Sequence, residues 1–274
     1  MKFQLIKISF LLFFSLHYSI LLGNGDRLFY DAVRAEASGD LDQAINFYLQ
    51  ASKLSHSSNL HGNLANLYFK KEQFGHAILH FRKALLLHPG NKELSANLAF
   101  AHEMAKTPRV NQHFSNTYFS GSTLSFWCIL SAFIFWSGFL LFIYLIYFKA
   151  RKTPLLYFTL VWIIVGGLTV YATRISFLAN SELSREVITF LPAIENNQSK
   201  KISLRRFAGE TSSANTTLLP GQSLIIDLEK DGTNKTHISP DGKNWYLARS
   251  KDGKKKGWIQ QDEFGWLINP TTKI

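Results

Sequence analysis

Leu64-Ala65-Asn66-Leu67-Tyr68-Phe69-Lys70-Lys71-Glu72-Gln73-Phe74-Gly75-His76-Ala77-Ile78-Leu79-His80-Phe81-Arg82-Lys83-Ala84, closed five residues later by Pro89, carries apolar residues at helical spacing on both sides of a polar break at 70–73. The spacing predicts two helices folded back as a hairpin. Alanines at the crossings let the backbones approach, while Tyr68, Phe74 and Phe81 fill the grooves between successive hairpins, so these residues are core. Sliding the chain along itself by 33 positions pairs Ala44 with Ala77, Tyr48 with Phe81 and Ala51 with Ala84, which makes residues 26–106 an internal repeat. The first unit is one residue shorter and lacks the closing proline, and Leu98-Ala99 after Asn91 open a third unit that then stops. So short an array buries little apolar area, and a second copy, a partner or a nearby membrane is expected to support it.

On the N-terminal side, Lys2 and Lys7 precede the apolar run Ile8–Leu16, and polar and small residues follow up to Gly23-Asn24-Gly25. Residues 1–25 thus read as a secretory signal peptide or an uncleaved signal anchor, and either one exports residues 26–120. No Asp, Glu, Lys or Arg occurs between Arg109 and Lys149, or between Lys152 and Arg174. Within the first gap, Leu124–Phe148 is long enough as a helix to cross a hydrocarbon core of ~30 Å. A second apolar run from Pro154 to about Leu178 crosses back, with Gly166-Gly167 at mid-depth, where small residues let helices approach. The expected division is therefore a linker at 107–121, transmembrane helices at 122–148 and 154–178, and a loop at 149–153. Lys149, Arg151 and Lys152 place that loop in the cytoplasm and both long flanks outside it. Arg174 lies near the outer end, within snorkelling reach of water.

Beyond Asn180 the period drops to about two, in short runs at Ile202–Phe207, Ser223–Leu228, Asn244–Ser250 and Gly257–Gln260. Pro220-Gly221, Asp231-Gly232, Pro240-Asp241-Gly242 and Asp252-Gly253 separate them, which predicts a small β domain over 179–274. Asp231–Pro240 reads as an insertion. Trp245 and Trp258 are expected in its core, Tyr246 and Trp266 partly exposed, and Lys251 with Lys254-Lys255-Lys256 on a solvated hairpin tip.

These segments resemble known families. Leu64-Ala65, Tyr68, Phe74, Ala77, Phe81, Ala84 and Pro89 resemble the tetratricopeptide repeat, and Gly39-Asp40-Leu41-Asp42-Gln43-Ala44 resembles its turn and second-helix start. That resemblance implies a concave face of first-helix residues binding a protein segment: Phe29, Val33, Asn66, Phe69, Lys70 and Phe100. The basic side chains with which some members clamp a C-terminal carboxylate are largely missing here. Trp245-Tyr246-Leu247-Ala248-Arg249, Asp252-Gly253 and Gly257-Trp258-Ile259 look like the closing hairpin of a bacterial SH3-like barrel. Leu204–Gly209 and Leu219–Ile226 fit its earlier strands. This implies docking on proteins or on cell-wall peptides and glycans, with Tyr246 and Trp266 as contacts. The order of signal, repeats, membrane hairpin and SH3-like domain resembles the BatE-type proteins of the Bat (aerotolerance) operons. That implies a multidomain inner-membrane protein of all-α repeats, a two-helix hairpin and a small all-β barrel. Its partners would be von Willebrand A-domain membrane proteins and a MoxR-type ATPase, in envelope or oxidative stress.

Composition excludes other classes. The net charge of +11 is spread along the chain, about +2 in 1–25, +2 in 26–110, +4 in 111–180 and +3 in 181–274. No segment is a basic arm able to neutralise many phosphates, so nucleic acid is not expected. The single cysteine, Cys128, lies in an apolar run, which removes a disulfide framework, a cysteine-based zinc site and a soluble thiol nucleophile. Six of nine histidines fall between His56 and His102, with His76 and His80 on one helix face. Without an HExxH pattern or a neighbouring acidic ligand they are expected on a solvated surface rather than on a metal. No Gly-rich phosphate loop, Gly-x-Ser-x-Gly elbow or paired carboxylates beside a histidine is present, so neither an enzyme nor a cofactor is expected. Two functions remain: an interaction scaffold, in which tethering raises the effective concentration of bound partners, or a peptidoglycan-binding or sensing protein.

Overall fold

Small residues at helical crossings set the first part of the fold. Helix α1 covers 25–37, followed by α2 (Leu41–Leu54), α3 (Ser58–Lys70), α4 (Phe74–Leu87) and α5 (Lys92–Met104). The computed structural model describes residues 25–108, 123–147, 152–191 and 201–269; the expected signal, nearly all of the linker and most of the loop at 149–153 lie outside them. Ala32, Ala44, Ala51, Ala65, Ala77, Ala84 and Ala101 are wholly buried at the crossings, with Tyr48 and Phe81 between them. Burying each of those two rings contributes about 1.5–3 kcal/mol. The shortfall in unit one lies in the loop between units, three residues at 55–57 against four at 88–91.

Capping fixes the helix starts. Asp40 accepts the Gln43 N–H at 3.0 Å and Asn91 accepts the Leu94 N–H at 3.0 Å, satisfying donors a helix N-terminus leaves open. Before α2 the chain turns through Gly39 at φ +84°; 33 residues later the same turn is made by Glu72 at φ +59°, exposed and without glycine's freedom. A left-handed residue with a Cβ costs about 1–2 kcal/mol, partly offset by glycine's larger chain entropy. Glu72→Gly is therefore expected to raise stability by about 0.5–1 kcal/mol in chemical denaturation.

Two helices follow that are long and apolar enough to span a membrane, α6 (Leu124–Tyr147) and α7 (Lys152–Leu183). Helix α7 runs five residues beyond the expected end at Leu178, and at ~1.5 Å per residue is about 48 Å long. The pair is closed by the Trp162 indole, whose Nε1–H donates to the Ile134 carbonyl at 3.0 Å. A side chain at Gly138 would occupy the space of that indole.

Among the described residues the C-terminal part is one antiparallel sheet of eight strands: β1 (Glu186–Thr189), β2 (Ser203–Arg205), β3 (Ala214–Thr217), β4 (Ser223–Ile226), β5 (Thr236–Ile238), β6 (Asn244–Ser250), β7 (Lys256–Gln260) and β8 (Phe264–Trp266). The hydrogen-bonded order is β3-β2-β7-β6-β4-β1-β8, with β5 added on β6. The order is open where a closed barrel was expected, and its ends are short: β3 is polar and β8 has three residues, both features of edge strands. The expected insertion at 231–240 contains β5, which pairs Thr236 with Tyr246 and Ile238 with Asn244. Four strands match the alternating runs in the sequence. The others have three or four residues, and β1 is buried at every position, so no alternation marks them.

Val187, Ile202, Leu204, Leu218, Leu224, Ile226, Ala248, Ile259 and Phe264 form the core of the sheet. Trp245 is fully buried, donating from Nε1 to Ser239 Oγ at 3.0 Å with the Arg205 guanidinium 5.3 Å from its ring; Trp258 is half-buried. Asp-Gly turns join the strands, with Gly232, Gly242 and Gly253 at positive φ. At the β6–β7 turn Asp252 accepts from Ser250 Oγ and from the Lys254 N–H, which hold its carboxyl below the usual range.

Among the described residues, the helical repeats and residues 187–267 form one compact unit, and the two long helices belong to a second. Within the first, α4 lies against the strand ends at Thr189-Phe190 and the turn before β4. A Cβ on Gly75 would stand 2.7 Å from the Thr189 carbonyl oxygen and 2.8 Å from Phe190 Cβ. Gly221, at φ +83°, lies under Ile78, and Gly265 under Leu79 and Phe190. The Arg82 guanidinium donates to Ser223 Oγ at 2.8 Å. Three glycines on two parts of the chain thus leave room for one close contact.

Candidate functional site

Surface aromatics beside buried ones distinguish the first-helix positions of the repeats. On α1, Phe29 is half-buried with its ring 5.4 Å from Tyr48, edge to face, while Val33 is exposed. On α3, Asn66 and Phe69 are half-buried and Lys70 is exposed. On α5, Phe100 is 52% exposed and its ring centroid lies 5.4 Å from that of Phe69, which also meets Phe74 at 5.4 Å. Phe69 and Phe100 are therefore brought together as an aromatic patch, with Phe29 turned toward the Tyr48 core. Lys70 is paired with Glu36 at 2.7 Å, across α3 and α1. Sequence reasoning missed Glu36, whose place one helical turn after Val33 was the available signal. An ion pair this exposed contributes ~0–1 kcal/mol, and the patch offers an apolar surface with a polar border rather than a charged clamp.

The histidines differ from expectation. His61, His80 and His102 are buried, not solvated. His61 and His80 meet through their Nδ1 atoms at 3.2 Å, which requires one ring to donate and the other to accept. His102 Nδ1 lies 2.9 Å from the Thr107 hydroxyl. Tyr68 stacks on His80 with centroids 5.5 Å apart and on His76 at 4.7 Å, and His76 stacks on Phe190 at 3.9 Å. Burial, with Lys83 and then His56 adding like charge, draws His61 down to about 4. Burial alone draws His76 to about 4, and burial followed by Lys83 and the neighbouring rings holds His80 well below the ordinary imidazole value. A solvated face was inferred because histidine is polar; stacking among aromatics lets neutral imidazoles fill the core instead. Among the described residues, no group of three or more His, Cys, Asp or Glu is placed to hold a metal ion.

On the sheet, Tyr246 and Trp266 are half-buried, packed edge to face with centroids 5.7 Å apart and each set against Phe264, at 5.4 and 5.7 Å. They are part core and part surface. The basic hairpin tip is largely exposed, but Lys256 and Arg249 are drawn to Asp227 at 2.7 and 3.0 Å.

The comparisons with known proteins bear on one segment of the chain. No curated protein matches the chain. Residues 58–91, which span α3, α4 and the loop to Asn91, match the tetratricopeptide repeat family, whose repeats are protein-interaction modules.

Proposed function

We propose that the chain is a non-catalytic inner-membrane scaffold, its repeats (26–106) and C-terminal SH3-like domain (179–274) presented outside the cytoplasm on a two-helix hairpin. The observation that carries this reading is the tetratricopeptide match at 58–91 together with the aromatic pair that its half-buried Phe69 makes with the exposed Phe100. A partner segment would lie along the first-helix positions, on the exposed Val33 and Lys70 and the half-buried Phe29 and Asn66. The packing of α4 on the sheet supports the layout, because two spans between them return the chain to the side it left. The resemblance to Bat-type proteins points to von Willebrand A-domain membrane proteins and a MoxR-type ATPase as partners, in an aerotolerance or envelope-stress complex. A second reading, binding of peptidoglycan by the C-terminal domain, draws on the half-exposed Tyr246 and Trp266.

A crosslinked pull-down of the full chain from its native membrane, run beside a pelleting assay on purified cell wall, separates the two. The scaffold reading expects membrane proteins to be recovered and the yield to fall about tenfold or more in a Phe100→Glu variant, the loss of one central aromatic anchor. Wall pelleting that disappears with Trp266→Ala, with no protein recovered, replaces it with the second reading.

A further inference from the structure

Five rings run in one stack from the sheet into the repeat: Phe190, His76, Tyr68, His80 and His61. His76 is the ring at the junction, held between Phe190 of the sheet and Tyr68 of α3, 3.9 and 4.7 Å from each. Around it the contact is tight, since Gly75, the residue before it, has no space for a side chain. We propose that this stack is an acid-release device, in which protonation of His76 detaches the C-terminal sheet from the repeat and frees the face of α4 that it covers.

The like charges around the stack gather at its inner end, on His80 and His61, while burial alone acts on His76. On α4 the half-buried Lys83 acts on His80 and on His61, and from the loop before α3 His56 acts on His61; all are positive when charged. Arg82, also on α4, is engaged with Ser223 of the sheet. From the sheet the facing groups are Phe190 and Thr189, neither of which titrates in this range, and below them Glu263. Its backbone carbonyl accepts from the Phe190 N–H at 3.0 Å, and its carboxylate accepts from the Gln260 N–H at 3.5 Å. Among the described residues, the groups acting on His61 and His80 are Lys83 and neighbouring histidines. The faces of Phe190 and Tyr68 attract a cation weakly, but an imidazolium on the half-buried His76 loses part of its water between them, and that loss dominates.

The sign follows from linkage. His76 has its value lowered in the docked state, to about 4 against 6.5 for an ordinary imidazole. Docking is therefore at full strength above pH 6.5 and weakens as pH falls toward 4, by at most about tenfold per pH unit. His61 and His80 titrate deeper in the repeat. Their Nδ1–Nδ1 bond needs one neutral ring, so doubly charging that pair loosens the α3–α4 hairpin itself.

The test uses the full chain in lipid nanodiscs, with Cys128→Ser and a donor–acceptor dye pair at Lys92→Cys on α5 and Lys254→Cys on the hairpin tip, both exposed and away from the contact. Energy transfer and far-ultraviolet circular dichroism are followed together from pH 7.5 to 4.5. The proposal expects transfer to fall below pH 6.5 while helicity holds. His76→Phe, which stacks without titrating, is expected to hold the transfer at least one pH unit lower, and His76→Gln serves as a second non-titrating variant. Constant transfer down to pH 4.5 overturns the proposal. So do identical midpoints in the wild type and the variants, and transfer and helicity falling together.

Discussion

Trp245→Ala is expected to remove about 3–5 kcal/mol of stability from the C-terminal sheet, the range for truncating a fully buried large aromatic. Trp245 has no exposed surface and lies on β6, the strand that pairs with β4, β5 and β7. Removing the indole opens a cavity, takes a donor from Ser239 Oγ, and leaves the Arg205 guanidinium without the ring it faces. Arg205 also donates to the Gly209 carbonyl and to the Glu210 carbonyl, so the loop after β2 loosens with it. A native domain has only ~5–15 kcal/mol to lose, so a large part of the sheet's margin goes. The check is denaturant unfolding followed by tryptophan fluorescence, with Trp258→Phe as comparison. Half-buried Trp258 is expected to cost less than half as much on conservative replacement.

Gly75→Ala is the second large effect, and its sign is the informative part. Gly75 is the second residue of α4, and alanine is the better helix former by up to ~1 kcal/mol. Propensity alone therefore predicts a more stable protein. The added methyl would stand 2.7 Å from the Thr189 carbonyl oxygen, a backbone atom that cannot turn away as a side chain can. Overpacking of this kind costs about 1–3 kcal/mol, so a net loss is expected, with α4 and the sheet pushed apart. Denaturation of the full chain measures the sign directly: a gain in stability would mean that α4 and Thr189 do not touch.

Much of the helical part was legible in the sequence. Ala44, Ala51, Ala77 and Ala84 recur at the repeat distance and are buried at crossings, because a close helix approach admits little else. Gly39–Ala44 resembles the repeat's turn and second-helix start, and the chain turns there through Gly39 at positive φ; the cap that Asp40 makes was not read from the sequence. Both long helices were visible as apolar runs, since an uncharged stretch of that length matches the thickness of a hydrocarbon core. The sheet was half legible, through alternation in β6 and β7 and turns at Asp-Gly. Its short strands β1, β3, β5 and β8 carry too few residues to show a period, and the open order of the sheet depends on pairings no local pattern reveals. Least legible was the contact of α4 with the sheet. Gly75, Gly221 and Gly265 lie 44 to 190 positions apart in the chain, and each alone passes for a tolerated or turn glycine. The histidines misled for a related reason: His61 and His80 look polar singly and become core, and His76 half-buried, only when Tyr68 and Phe190 are placed beside them.

In the proposed layout the repeats and the sheet stand on one side of a membrane, because the two-helix hairpin returns the chain to that side. Sidedness reporters answer this most directly: an alkaline phosphatase active only after export, fused in separate versions after Lys106, after Lys152 and at the C-terminus. The account predicts activity for the first and third fusions and none for the second. A silent C-terminal fusion beside an active one after Lys106, or an active fusion after Lys152, would contradict it, because α4 and the sheet would then lie in different compartments or face the wrong one.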